Sequence, residues 1–173
     1  MLEKNFFRRD ALTVAPDLLG KVLVREKNGE EIRFVIMEVE AYDGEEDSAC
    51  HASRGRTPRT EAMYGPAGFW YVYLVYGMHY MLNITTGEEG YPSAVLIRGA
   101  REVTGPGRLT RALSVDASFN AKEASKDTGL WIEEGTISPS LGEVEKTPRI
   151  GVDYAGEWAS KPYRFVWKDN LKC

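Results

Sequence analysis

The sequence is short of cysteine, histidine and long apolar runs, and each shortage argues against a class of protein. Only Cys50 and Cys173 occur, far apart and in no CxxC or metal-type spacing. That argues against a disulfide framework and against a structural zinc site, and it suits a reducing compartment. His51 and His79 are the only histidines. One histidine among acidic neighbours is a poor transition-metal ligand set, so neither a metal nor a cofactor is expected. No apolar run is long enough to span a bilayer, and the opening MLEKNFFRRD lacks the apolar core of a secretion signal. A soluble, cytoplasmic protein with no membrane contact is the expectation. Repeats, low-complexity tracts and linker-like stretches are also missing, so residues 1–173 are expected to form one domain.

What is present is an ordinary globular composition with an uneven charge. The chain has 173 residues, 43% of them apolar, which is enough for a real core. Its formal charge of −4 offers no global attraction to nucleic acid. Residues 50–111, however, carry seven basic against four acidic side chains, and all seven are arginine: 54, 56, 59, 98, 101, 108 and 111. Arginine presents a planar fork of donors suited to phosphate oxygens, so an anionic partner belongs to this middle third. A merely solvated surface explains the same charges.

Local patterns favour strands over helices. Residues 9–19 read as a short helix with Asp10 as N-cap. Strands are expected at 21–25 and 32–42, joined by a turn at Asn28-Gly29, and again at 69–76, 80–85, 94–98, 131–133 and 163–168. A helix is expected at 107–113, after Gly105-Pro106-Gly107. With many hairpin signals and no βαβ alternation, the fold class is α+β: a single mixed domain around a curved, largely antiparallel sheet with a protruding β-hairpin.

Two segments are unusual for such a fold. At a period of two, one face of strand 32–42 reads Ile32, Phe34, Ile36, Glu38, Glu40, Tyr42, and the other Arg33, Val35, Met37, Val39, Ala41. Both are mostly apolar, so the strand is expected to be buried on both sides, with two carboxylates continuing an apolar face inward. Interior carboxylates are paired, hydrogen-bonded or functional; capping a strand end beside arginines is the plainer alternative. The second segment is Phe69-Trp70-Tyr71-Val72-Tyr73-Leu74-Val75-Tyr76-Gly77, in which Tyr71 and Tyr73 share a face and Tyr76 stands at a glycine turn. A core strand explains aromatics, but an aromatic at a turn protrudes, as stacking or intercalation on nucleobases requires. An interior acid, stacking rings, a protruding aromatic and local arginines are together the parts needed by an enzyme that acts on a base taken out of a duplex.

The residues carrying these features resemble one family. Glu38-Val39-Glu40-Ala41-Tyr42, His51, Arg54-Gly55-Arg56-Thr57-Pro58-Arg59 and Tyr71 to Met78 are similar to the alkyladenine (3-methyladenine) DNA glycosylases. So are Leu82-Asn83-Ile84, Ala94 to Arg98, Gly105 to Leu109, Pro148-Arg149-Ile150-Gly151-Val152, Ala155-Gly156-Glu157-Trp158-Ala159 and Lys161 to Phe165. The match runs in order from about residue 9 to 168. It implies a monofunctional enzyme that flips alkylated or modified purines from duplex DNA and hydrolyses the N-glycosidic bond, as a monomer. It also implies roles: Glu40 as general base and Arg98 as the arginine holding the water and the acidic site. Tyr42 would stack on one face of the flipped base, with His51 and Tyr73 lining the other. Asn83 would clash with the 2-amino group of ordinary guanine, and Tyr76 would fill the gap left in the duplex. Arg54, Arg56, Arg59 and Arg108 are the candidate backbone contacts. No lysine falls in the matched site motifs, so plain hydrolysis is expected, without a Schiff base.

Two departures stand out. Relatives usually carry a longer segment between the Arg98 and Gly-Pro-Gly motifs, of which only Gly99–Thr104 remains, and Arg108 replaces a common lysine. Two other readings use the same residues: a hydrolase or transferase acting on free modified nucleosides, and a nucleic-acid-binding relative without catalysis.

Overall fold

The computed structural model describes residues 1–140 and 142–168; Leu171, Lys172 and Cys173 lie outside them. Two short helices open the chain, α1 (Lys4–Phe7) and α2 (Ala11–Leu18). Asp10 caps α2 by accepting the Thr13 amide at 2.8 Å. Then β1 (Val22–Lys27) turns through Asn28-Gly29 into the long β2 (Glu30–Asp43). Both turn residues have positive φ, 56° and 81°, as a primed two-residue hairpin requires. Strands β3 (Trp70–Val75), β4 (His79–Thr85) and β5 (Ser93–Ala100) follow, then α3 (Pro106–Ala112), β6 (Leu130–Glu133), β7 (Val144–Thr147) and β8 (Arg164–Trp167).

The strands form one curled sheet in the order β3-β4-β5-β2-β1-β6, with β8 beside β2 and β7 beside β8. Every pairing between named strands is antiparallel. The α+β expectation therefore holds. Sequence reading missed α1 and β7, both only four residues long and without a clear period.

Alternation along the strands sorts side chains onto two faces. Trp70, Val72, Leu82, Ile84, Val95, Ile97, Val39 and Ala41 join the main core with Val14 and Leu18 of α2 and Leu109 of α3. The intervening residues Tyr71, Tyr73, Met81, Asn83, Ala94, Leu96 and Tyr42 look the other way, onto an open cleft. Burying one large aliphatic side chain on the core face stabilises by roughly 1.5–3 kcal/mol. The opposite face is thus left free for chemistry.

The face assignment for β2 needs correction. Ile36 belongs to the same core as Val39 and Ala41, whereas strict period-two counting put it with Glu38 and Glu40. The register explains why: Ile36 pairs with Ala100, Glu38 with Gly99 and Val39 with Ile97, so one residue bulges on each strand, Met37 on β2 and Arg98 on β5. The bulge moves the two glutamates off the core face. Nor is β2 buried on both sides throughout, since Glu30, Glu31 and Arg33 are exposed.

Candidate active site

The cleft on the outer sheet face has a volume of about 470 Å³. Tyr42, His51, Arg59, Tyr73, Tyr76, Asn83 and Arg98, which lie far apart in sequence, all line it. Strand alternation delivers Tyr42, Tyr73 and Asn83, while the β5 bulge aims Arg98 at the acids. His51 arrives on the short 3₁₀ turn His51–Arg54.

Glu40 is fully buried beneath this cleft, and the three groups that bond it all line the cleft wall. Its Oε1 accepts the Ile150 backbone N–H at 2.8 Å. Its Oε2 accepts the Tyr42 hydroxyl at 2.9 Å and a long contact from Arg98 Nη1 at 3.4 Å. A carboxylate has about four acceptor positions, so three donors leave Oε1 with capacity for one more, such as a water. Glu38 is occupied differently. Its Oε1 accepts both Arg98 Nε, at 3.0 Å, and Arg164 Nε, at 2.7 Å.

The aromatic part of the wall is neutral. Burial, then the Glu40 carboxylate, holds the Tyr42 phenol well above its usual range, and burial pushes Tyr71 up to about 12. His51 shares a hydrogen bond of 2.9 Å between Nδ1 and the Tyr71 hydroxyl, and its ring meets Tyr73 edge-on at 4.5 Å. Burial, with Arg59 and Arg54 nearby, lowers its pKa to about 4, so it is uncharged at neutral pH. Asn83 is buried, and its Nδ2 donates to the Tyr71 carbonyl at 3.0 Å, which stops its amide from swinging aside.

Tyr76 caps the β3–β4 hairpin at the rim. It is 90% exposed, flanked by exposed Leu74 and Met78. The turn has positive φ at both Tyr76 (52°) and Gly77 (68°) and closes with the Met78 amide on the Val75 carbonyl at 3.1 Å. A large aromatic held in the left-handed region at full exposure is costly and contributes nothing to the core.

The arginines divide. Arg59 lines the cleft and lies over the Tyr73 ring at 5.3 Å. Arg54 and Arg108 are exposed outside it. Arg56 is exposed too, but its guanidinium is bidentate on Glu61, at 2.9 and 2.6 Å, so a phosphate would compete with that carboxylate. Among the described residues no cluster of three or more His, Cys, Asp and Glu side chains is arranged to hold a metal ion, and no helix is long and apolar enough to cross a membrane.

The family profile described as methylpurine-DNA glycosylase matches residues 5–104 and 100–171. The chain belongs to the methylpurine-DNA glycosylase family. The two matched stretches meet inside the Gly99–Thr104 segment, where Ala100 and Val103 close a tight turn. A Myxococcus xanthus protein named "Putative 3-methyladenine DNA glycosylase" is 45% identical, over 98% of this chain and 91% of its own. Proteins of the same name from Methanocella arvoryzae and Desulfitobacterium hafniense are 40% and 43% identical, again over 98% of this chain and over 94% and 96% of theirs.

Seen beside this glycosylase family's motifs, several site groups escaped sequence reading. Ile150 serves through its backbone, which side-chain chemistry does not reveal. Arg149 and Asp47 were visible only as parts of a motif and an acidic run. Arg164 reaches Glu38 across 126 residues, a separation that only the β2–β8 pairing closes.

Proposed function

We propose that the protein is a monofunctional DNA glycosylase, one domain across residues 1–173, that flips alkylated or otherwise modified purines from duplex DNA and hydrolyses the N-glycosidic bond, initiating base excision repair. The observation that carries this reading is a buried carboxylate, Glu40, directly beneath an aromatic-walled cleft with an exposed tyrosine at its rim. In the same proposal the protein acts as a monomer in the cytoplasm, the cysteine usage suiting a reducing compartment.

In this mechanism Tyr76 enters the duplex and fills the space the nucleotide vacates, and the base slides between Tyr42 and the His51–Tyr73 wall. A water hydrogen-bonded to Glu40 and Arg98 attacks C1′. Its proton passes to Glu40, and the electron pair of the breaking C1′–N bond leaves with the purine. The transition state carries oxocarbenium-like positive charge, which the Glu40 carboxylate stabilises. Positioned proton transfer contributes about 10²–10⁴-fold. Glu38 takes up Arg98 and Arg164, so Glu40 is not neutralised by a tight ion pair.

The test uses duplex oligonucleotides that each carry a single lesion, incubated with the protein and then heated in alkali. Cleavage at the lesion reveals abasic sites and supports the reading. Release of base from free modified nucleosides alone would favour the nucleoside-hydrolase reading, and binding without release would favour a non-catalytic relative.

A further inference from the structure

Behind the cleft, a buried ion pair ties the stacking ring to the catalytic carboxylate. The side chains of Asp47 and Arg149 have no solvent exposure and meet through both Arg149 terminal nitrogens. The same guanidinium donates to the Ala41 carbonyl at 2.9 Å and the Trp158 carbonyl at 3.3 Å. Its Cζ lies over the Tyr42 ring, 4.7 Å from the centroid. Asp47 accepts the Asp43 and Ala49 amides, at 3.2 and 3.0 Å, pinning the loop that leads to His51.

Arg149 is therefore hydrogen-bonded to the residue between Glu40 and Tyr42, set over the Tyr42 ring, and adjacent in sequence to Ile150, whose N–H holds Glu40. Its Nε–H is buried and has no hydrogen-bond partner among the described residues. Stability alone does not account for this choice, because a well-packed apolar pair serves a core as well as a buried ion pair. What an apolar pair or a lysine lacks is a planar fork that bonds a carboxylate and a carbonyl while stacking on a ring.

We infer that Arg149, held by Asp47, is a positioning residue that fixes the Tyr42 ring and the Glu40 carboxylate in one relative geometry for base release. The inference rests on the function proposed above. Small misplacement of reacting groups costs up to about 10²-fold in rate.

The experiment compares wild type, Arg149→Lys, Tyr42→Phe and the double variant in single-turnover base release, alongside lesion-duplex affinity and melting temperature. For folded Arg149→Lys the release rate should fall about 10- to 100-fold while affinity changes less than about threefold. In the Tyr42→Phe background the same substitution should cost much less, because the geometry it protects is already loosened. A variant with a lower melting temperature and the wild-type rate would overturn the inference, as would full additivity with Tyr42→Phe. If Arg149→Lys does not fold, Asp47→Asn is read by the same two criteria. Failure of the wild type itself to release any base would sink the enzymatic reading and this inference with it. An active wild type beside a fully active Arg149→Lys sinks the inference alone.

Discussion

Glu38 and Glu40 stand two positions apart on one strand, yet their partners give them different chemistry. Glu38 accepts two guanidinium groups on one oxygen, so it serves to anchor Arg98. Glu40 is held mainly by neutral donors, which is what the base role proposed for it requires. That two acids lie inside the strand is legible from their apolar neighbours. Which of them faces the cleft chemistry is not, because the bulge at Met37 and Arg98 depends on the pairing with β5 rather than on β2 itself. His51 supports a prediction at this scale. Its folded pKa, about 4, lies below the ordinary value of 6.5. The unfolded chain therefore binds more protons between pH 6.5 and 4, so the stability contributed by the neutral ring is full above pH 6.5 and is lost as pH falls toward 4. A His51→Gln variant should show a smaller drop in melting temperature between pH 7 and pH 5 than wild type. Equal drops would mean that the ring is not held neutral.

The β3–β4 hairpin is the element whose form is least explained by folding. Its tip exposes Leu74, Tyr76 and Met78, and Tyr76 adopts a left-handed conformation that favours glycine. Truncating so exposed a side chain changes stability by no more than about 0.5 kcal/mol. Tyr76→Ala should accordingly melt close to wild type but bind a lesion duplex far more weakly, as measured by titration. Undiminished affinity would remove the wedge from the mechanism. Most of this element was readable from sequence: alternating aromatics gave the strand, and Gly77 gave the turn. Equally readable were α2, through its Asp10 cap, and the Asn28-Gly29 hairpin. The Asp153–Ser160 turns and β7 were not, since short segments without periodicity take their shape from what they pack against.

Taken whole, the molecule is acidic, and among its described residues Arg59 lines the cleft while Arg54 and Arg108 are exposed outside it. On the proposed function, DNA binding should depend on a few local phosphate contacts and weaken steeply with salt. Each phosphate neutralised contributes about −0.9 to the slope of log affinity against log salt. Arg54→Ala and Arg108→Ala should each flatten that slope by about one contact. Arg56→Ala should flatten it less, because Glu61 already occupies that guanidinium; three equal effects would contradict the distinction. Sequence could nominate all the arginines but could not rank them, since Glu61 is recognisable as a competitor only once the 3₁₀ turn Glu61–Tyr64 is formed. The most direct measurement concerns the buried acid itself. Glu40→Gln keeps the size of the side chain and an oxygen to accept the Ile150 amide, but it removes the base. Incubated with a single-lesion duplex, this variant should bind as wild type does and leave no alkali-labile site. Base release at the wild-type rate would contradict the account.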